Sequence, residues 1–543
     1  MTQRLEIYDT TLRDGCQGQG MSLTVDDKLA ITLRLDAIGI PVIEGGWPGS
    51  NPRDVAFFER VRALPLQQAQ IAAFGATRRA DLHVDEDPNL AALIAAETPI
   101  VTLVGKASRF QVKQVLGVSL DDNLAMVADS VRFLVEHGRR VIFDAEHAFD
   151  GAAVDLDYTL SVLRAAAHAG ADTIVLCDTN GGALPSDVSA LTAQVRNLLP
   201  ASVTLGVHTH NDMELAVANT LAGVAAGARH VQGTINGYGE RTGNANLCSI
   251  LPLLEHRLGY QCLPEGGLAQ LTDLSHAVAE IANMAHPAAL PFVGSNAFAH
   301  KGGLHVSGVM KTSAAYEHME PTIVGNQRAV LVSDLSGRSN LLSRAVEYGL
   351  DADSVADAAP TLLQQVKELE ALGFRYEDAD ASLELLMRRQ LPSWRPPFAM
   401  IDYVALSEYR AYRGLLSEAT VKLQIDDEVA HTAAEGNGPV NALDGAMRKA
   451  LAGRFPALDT VSLQDYKVRV LDDHNGTGAM VRVWIRSGDG LRTWNTVGAS
   501  SNVIEASWLA LVDSLMWPLV TQRHVSTNAS TAMSDARLVT SAD

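Results

Sequence analysis

The chain has 543 residues, 47% of them hydrophobic and 20% charged; that exceeds what one hydrophobic core usually supports, so two or three globular domains are expected. A formal net charge of −20 argues against nucleic acid or an anionic membrane as partner, because phosphate neutralisation supplies most of such affinity. Four cysteines, Cys16, Cys177, Cys248 and Cys262, lie far apart without a C-x-x-C pair, which argues against a thiolate zinc site or a disulfide framework and leaves packing roles.

The opening MTQRLEIYDTTLRD lacks the continuous apolar run of a signal peptide, and no stretch approaches the ~20 uninterrupted apolar residues of a membrane span, so a cytoplasmic location is expected. Up to about residue 260, short strand-like runs alternate with helical stretches. The runs are Leu5 to Tyr8, Val42 to Ile43, Ile71 to Phe74, Ile100 to Val104, Val141 to Phe143, Thr173 to Leu176, Val203 to Val207 and His230 to Thr234. Between them sit amphipathic stretches such as Asp26 to Ala37, Leu90 to Ala96, Asn123 to Glu136 and Tyr158 to His168, several closed by glycine at Gly39, Gly138 and Gly170. Eight such repeats predict a TIM (β/α)8 barrel over residues 1–265, of α/β class. An open doubly wound sheet ranks below it, since no glycine-rich dinucleotide turn follows the first strand.

Residues 266–395 read as helical lid and linker subdomains, with a long amphipathic stretch from Ala359 to Leu372 and a stiff proline-rich segment from Leu391 to Pro397. Residues 396–525 read as an α+β domain with an internal repeat. Val421 to Leu451 and Val481 to Leu511 each run strand, turn, strand, Gly/Ser/Asn-rich segment and apolar helix. Packing of the two units would bring Gly436 to Gly438 near Gly498 to Ser501, where free N–H groups at the helix starts could hold a carboxylate. The Ser/Thr/Ala-rich residues 526–543 read as a disordered tail.

Polar residues close nearly every barrel strand, and in a barrel they converge at one end. They are Arg13 and Asp14 after the first strand, Glu44, Lys106, Glu146, then Asp178 and Thr179, His208 and His210, and the segment Asn236 to Asn244. His208 and His210, two apart on a strand, point the same way and can share one cation. With one carboxylate and an amide oxygen they form a sulfur-free set suited to Mg²⁺, Mn²⁺ or Zn²⁺.

The motifs DTTLRDGCQ, IEGGWPGSNPRD, DTNGG, HTHND and NGYGERTGNANL, continued by GSNAFAHKGGLHVSGVMK and YEHMEPTIVGN, resemble the Claisen-condensing metal synthases, the family of 2-isopropylmalate, homocitrate and citramalate synthases. The segment EGGWPGSNPRD resembles the citramalate-forming branch, whose keto acid is pyruvate. By that resemblance Asp14, His208, His210 and Asn244 are metal ligands, and Arg13 faces the keto-acid oxygen. Glu44, Glu146 and Thr179 belong to the keto-acid site, and His305 and Tyr316 reach the active site, usually from a partner subunit. The resemblance further implies a homodimer, acetyl-CoA as co-substrate and an amino-acid-sensing C-terminal domain, for which isoleucine is the expected effector. Cys16 and Trp47 depart from the commoner pattern without removing a reactive group.

The chemistry suits the set. A chelated α-keto acid is fixed and polarised, and Arg13 stabilises the alkoxide that develops on attack. His305, assisted by Tyr316 or Glu146, is the expected base for the acetyl-CoA methyl proton, and Arg78, Arg79, Lys106 and Arg109 are candidate CoA contacts. The near rival is 2-isopropylmalate synthesis from 2-oxoisovalerate, because one or two pocket methylenes discriminate by only ~1 to 3 kcal/mol. A lyase on the same barrel and a non-catalytic amino-acid sensor are the alternatives of other classes. The appended sensor-like domain favours a biosynthetic step over the first, and the complete reactive set argues against the second.

Overall fold

The computed structural model describes residues 3–471 and 476–538, with the backbone alone beyond Thr521. The chain divides into two compact units, residues 1–298 with 319–328, and residues 299–318 with 329–543.

The first unit is built on a closed barrel of eight parallel strands in sequence order. These are β1 (Glu6–Asp9), β2 (Val42–Gly46), β3 (Gln70–Ala76), β4 (Ile100–Lys106), β5 (Arg140–Glu146), β6 (Thr173–Asp178), β7 (Thr204–Thr209) and β8 (His230–Gly233). All eight predicted strands are present, several reaching further toward their C-terminal ends than the apolar runs indicated. Helices return the chain between strands, and their starts are set by side chains: Thr24 and Asp27 form a capping box at Val25–Ile38, and Ser119 and Asp122 do so at Leu120–Glu136. Gly39 stops the first of these helices with φ 92°, a left-handed conformation that glycine adopts without a Cβ penalty.

Strand parity determines what enters the barrel. Tyr8, Val42, Ala72, Ile100, Ile142, Val175 and Cys177 form a separate buried cluster inside it, whereas Ile7, Ile43, Val101, Val141, Ile174 and Leu205 belong to the larger core outside. Extending the inward parity toward the C-terminal ends gives Glu44, Asp144, Glu146, Thr179, His208 and His210 in turn. The expected boundary at residue 265 needs correction: Leu271, Leu274 and Val278 of the helix Leu271–Ile281 are buried in this same outer core, so the first unit runs on to Phe298.

In the second unit, the helices Arg338–Glu347, Ala352–Ala371 and Asp380–Arg389 enclose Leu341, Val355, Leu362, Val366 and Leu383. The repeat follows, each copy being three antiparallel strands and a helix. The strands are β9 (Ala399–Arg410), β10 (Gly414–Ile425) and β11 (Glu428–Gly436), then β12 (Ser462–Val470), β13 (Val481–Gly488) and β14 (Thr493–Ser500). The sequence reading missed the first strand of each copy, whose side chains are largely exposed and show no apolar face. Helices Pro439–Leu451 and Val503–Leu538 close the copies and share one core. Val503–Thr521 has the length and apolarity of a membrane span, contrary to expectation, but Ala506, Trp508, Leu511, Leu515 and Leu519 are buried in that core. This helix continues through Leu538 across part of the expected tail, since no Gly or Pro follows Pro518 to stop it; residues 539–543 lie outside the described residues.

Candidate active site

A cavity of about 690 Å³ opens at the C-terminal end of the barrel strands, and every residue lining it comes from the first unit. It contains Arg13, Asp14, Lys106, Glu146, Thr179, His208 and His210, so most of the expected strand-end set converges.

The loop after β1 is fixed from within. Asp9 accepts from the Thr11 N–H at 3.0 Å and its hydroxyl at 2.8 Å, and the Ile235 N–H donates to the Thr11 Oγ1 at 2.9 Å, joining this loop to the one after β8. On the loop sits Asp14, buried, whose carboxylate oxygen lies 3.3 Å from His208 Nε2 and 3.9 Å from His210 Nε2. One ligand atom from each of the three lies within 4.8 Å of the others. Burial pushes the Asp14 carboxyl up, but Arg13 and then His208 outweigh it and hold it below the usual carboxylate range. Burial and the neighbouring His208 lower His210 to about 4, leaving it neutral and able to ligate; for His208 the bond and charge of Asp14 outweigh burial and raise it.

The segment after β8 folds back so that Asn244 bridges His210, and its amide lies 3.0 Å from Asp14 and 3.2 Å from His208. Two glycines allow this. A Cβ on Gly239 would overlap the Asn244 amide oxygen, and one on Gly243, at φ 97°, would overlap the Gly237 carbonyl. Asn244 Oδ1 and His210 Nδ1 are buried without a hydrogen-bond partner. The atoms that face one another at Asp14, His208 and His210 are a carboxylate oxygen and two imidazole nitrogens, a donor set that fits a divalent metal with N/O preference.

Arg13 is clamped on two sides. Its Nε donates to Glu44 at 2.7 Å, and its guanidinium lies 3.8 Å from the centre of the Phe74 ring, which Trp47 meets edge-on at 5.5 Å. Glu44 was expected to bind substrate, but it is wholly buried and does not line the cavity; Tyr8, Thr10 and Arg13 all donate to it, so it holds the Arg13 guanidinium instead of facing the cavity. Glu146 pairs with Lys106, its neighbour in the β4–β5 register, and the Thr179 hydroxyl accepts from the His147 N–H at 2.8 Å. Asp178 has the opposite parity from Thr179 and holds a turn instead, accepting from the Gly182 N–H at 3.1 Å and the Ala183 N–H at 3.3 Å.

Arg78, Arg79 and Lys106 line the cavity; Arg109 does not, and pairs with Asp155 at 3.0 Å. His305 and Tyr316 lie in the second unit, both exposed, their rings stacked at 4.2 Å. Of the expected effector residues, Gly438 precedes the helix Pro439–Leu451, Gly436 ends β11 and Ser501 precedes the last helix. Gly498 lies inside β14, not at a helix start, because the helix from Val503 packs where its side chain would be. At that helix start Asn502 Oδ1 already accepts from the Ile504 N–H at 2.9 Å. Sequence reasoning missed Asp144 and Phe74 in the cavity and Gln232 beneath it, while Arg241 comes from the expected segment after the last strand. Counting by two from Glu146 and His230 would have found Asp144 and Gln232.

The HMGL-like family model matches residues 4–278, the homocitrate synthase post-HMGL domain-like model residues 292–373, and the LeuA allosteric (dimerisation) domain model residues 377–516. The (R)-citramalate synthase of Geobacter sulfurreducens is 49% identical over 516 residues, 95% of this chain and 97% of its own. That of Aquifex aeolicus is 48% identical over 521 residues, 96% of this chain and 98% of its own. A probable 2-isopropylmalate synthase of Methanopyrus kandleri is 33% identical over 515 residues, 94% of this chain and 98% of its own.

Proposed function

The chain belongs to the (R)-citramalate synthase family, and we propose that it condenses acetyl-CoA with pyruvate at the barrel mouth, giving citramalate and CoA for isoleucine synthesis in the cytoplasm. The carrying observation in the molecule is the convergence of Asp14, His208 and His210 beside Arg13 in one cavity. Identity to citramalate synthases over the whole chain selects pyruvate over 2-oxoisovalerate, the substrate of the more distant 2-isopropylmalate synthases.

Asp14, His208, His210 and Asn244 hold the divalent cation, Mg²⁺, Mn²⁺ or Zn²⁺, which when bound polarises the ketone of the keto acid. Arg13 stabilises the negative charge that develops on the keto oxygen, its direction fixed by Glu44 and Phe74. Thr179 takes the keto-acid carboxylate, and the Lys106–Glu146 pair closes the same wall. A base removes a methyl proton of acetyl-CoA, the new carbon–carbon bond forms, and water cleaves the thioester to release CoA. His305 is our assignment for that base, with Tyr316 stacked on it and Glu146 as the other candidate relay. Arg78, which pairs with Asp129, and Arg79 line the cavity and are the contacts we assign to the CoA phosphates.

The LeuA allosteric (dimerisation) domain supports a dimer, and in this reading isoleucine is the effector that its repeats sense. The first test is CoA-thiol release by metal-replete protein given acetyl-CoA with pyruvate, 2-oxoisovalerate, 2-oxoglutarate or no keto acid. Release dependent on pyruvate is expected; preference for 2-oxoisovalerate would move the enzyme to isopropylmalate formation, and release independent of keto acid would end the synthase reading. Isoleucine added to the pyruvate reaction should lower its rate.

A further inference from the structure

A buried chain of hydrogen bonds runs up the inside of the barrel and ends on a proposed metal ligand. At its lower end the His230 Nδ1 lies 2.8 Å from Glu6 Oε2, the two residues being direct neighbours in the β1–β8 register. A carboxylate oxygen only accepts, so His230 Nδ1 carries a proton. The His230 Nε2 lies 3.4 Å from the Gln232 amide nitrogen, which donates to Asp144 Oδ1 at 3.0 Å. The Asp144 oxygen only accepts, so the amide nitrogen must point to that end and its oxygen the other way. Gln232 Oε1 then faces His208 Nδ1 at 2.7 Å, and the only sound assignment is that Nδ1–H donates to it. The other nitrogen, His208 Nε2, faces Asp14 and His210, 3.3 Å and 3.2 Å away, and is the one placed to ligate. His230 and Gln232 are wholly buried and Asp144 nearly so.

We infer that Gln232 is a positioning residue for the metal site, which together with His230 and Asp144 locks His208 in the tautomer whose Nε2 can ligate. This rests on the reading of His208 as a metal ligand. A free imidazole divides between two tautomers and rotates, and the chain removes both freedoms before the cation arrives. Asp144 sets the amide's direction. In Asp144→Asn the new side chain can donate as well as accept, so the Gln232 amide is free to turn and offer its N–H₂ to His208, which favours the tautomer that cannot ligate.

The test is Mn²⁺ affinity of the metal-stripped full-length protein, measured by competition with a chromophoric chelator, so that no turnover is needed. Gln232→Leu should weaken Mn²⁺ binding by about tenfold to a hundredfold, while Gln232→Glu, which keeps an acceptor for Nδ1–H, should retain more of it than Leu does. Asp144→Asn should fall between the parent and Gln232→Leu. The melting temperature of each stripped variant shows that it is folded, and the metal-dependent rise in that temperature should shrink in the same order. His208→Ala serves as the reference for a lost ligand. Parental Mn²⁺ affinity in Gln232→Leu, with His208→Ala impaired, would overturn the relay and leave the metal site standing. Unchanged affinity in His208→Ala would instead overturn the metal reading on which the relay depends.

Discussion

At the residue scale, the site separates groups that meet substrate from groups that hold them. Asp14, His208 and His210 present ligand atoms within 4.8 Å of one another, and removing one leaves too few donors for tight binding. His208→Ala should therefore lose more turnover than the roughly hundredfold typical when only a residue supporting a metal ligand is removed. Chelation of the parent protein should abolish CoA release, restored by added Mn²⁺; full activity after verified chelation would remove the cation from the mechanism. Glu44 makes a different prediction. It is buried under Tyr8, Thr10 and Arg13 and touches no cavity space, so its charge serves to direct the Arg13 guanidinium. Glu44→Gln should lower kcat by about tenfold to a hundredfold, since Arg13 acts mainly as charge develops in the transition state. A change confined to KM would show instead that Glu44 serves ground-state binding.

At the scale of elements, the barrel was legible because its signal is periodic: apolar runs of strand length alternate with amphipathic helices, and both leave a repeating mark. The site was legible where a motif sits at a strand end, as at His208 and His210 or Arg13 and Asp14. It was misjudged where depth and parity decide, which needs the strand ends to within one residue. Asp178 and Thr179 were grouped together, yet opposite parity sends one to a turn and the other to the cavity. Glu44 has the inward parity but lies one layer too deep. Asp144 and Gln232 were overlooked because a polar residue inside an apolar run carries no motif. The lower end of the barrel was equally silent in the sequence, although β1, β5 and β8 are joined there by Glu6. Arg140 donates to both Glu6 oxygens at 2.7 Å, and His230 contacts one of them. Burial raises the Glu6 carboxyl, but the bonds of His230 and Arg140 outweigh it and depress it far below its ordinary value. A depressed folded pKa stabilises the protein above the unfolded carboxylate's pKa of ~4.3, and that contribution is lost progressively as pH falls from there through the folded value. Glu6→Gln should cost about 2 kcal/mol at pH 7, and urea melts of the two proteins should draw closer between pH 5 and pH 3 as the parent's advantage begins to be titrated away. A gap of constant size across that range would show that Glu6 acts through packing rather than charge.

At the scale of the whole molecule, the proposed isoleucine response needs a path from the C-terminal repeat to the proposed base. His305 and Tyr316 belong to the same compact unit as the repeat, so an effector bound there has a continuous body through which to act on the proposed base. Within that unit the helix Asp380–Arg389 is the joint. Ser382 is buried and donates to Asp513 at 2.7 Å while accepting from the Val497 N–H at 3.0 Å, and Arg389 reaches the same Asp513 at 2.5 Å. Trp517 donates to Glu384 at 2.7 Å, so one short helix is bonded to both the last strand and the last helix of the repeat. Cutting the chain near Pro397 would strip these buried polar groups of partners and uncover Leu383 and Met387, which pack with Val497. Loss of activity after such a cut would report damaged folding, so a point change is the sharper probe. Ser382→Ala removes the one side chain that bonds both Asp513 and the Val497 backbone, while Arg389 still holds Asp513. If isoleucine acts by favouring one arrangement of this joint, weakening it by about 1 kcal/mol reduces the coupling by roughly fivefold. Rate measurements with pyruvate and acetyl-CoA should then show the half-inhibitory isoleucine concentration raised several-fold, with uninhibited turnover near that of the parent. An unchanged isoleucine response alongside normal turnover would place the coupling elsewhere, and isoleucine competing directly with pyruvate would place the effector in the barrel itself.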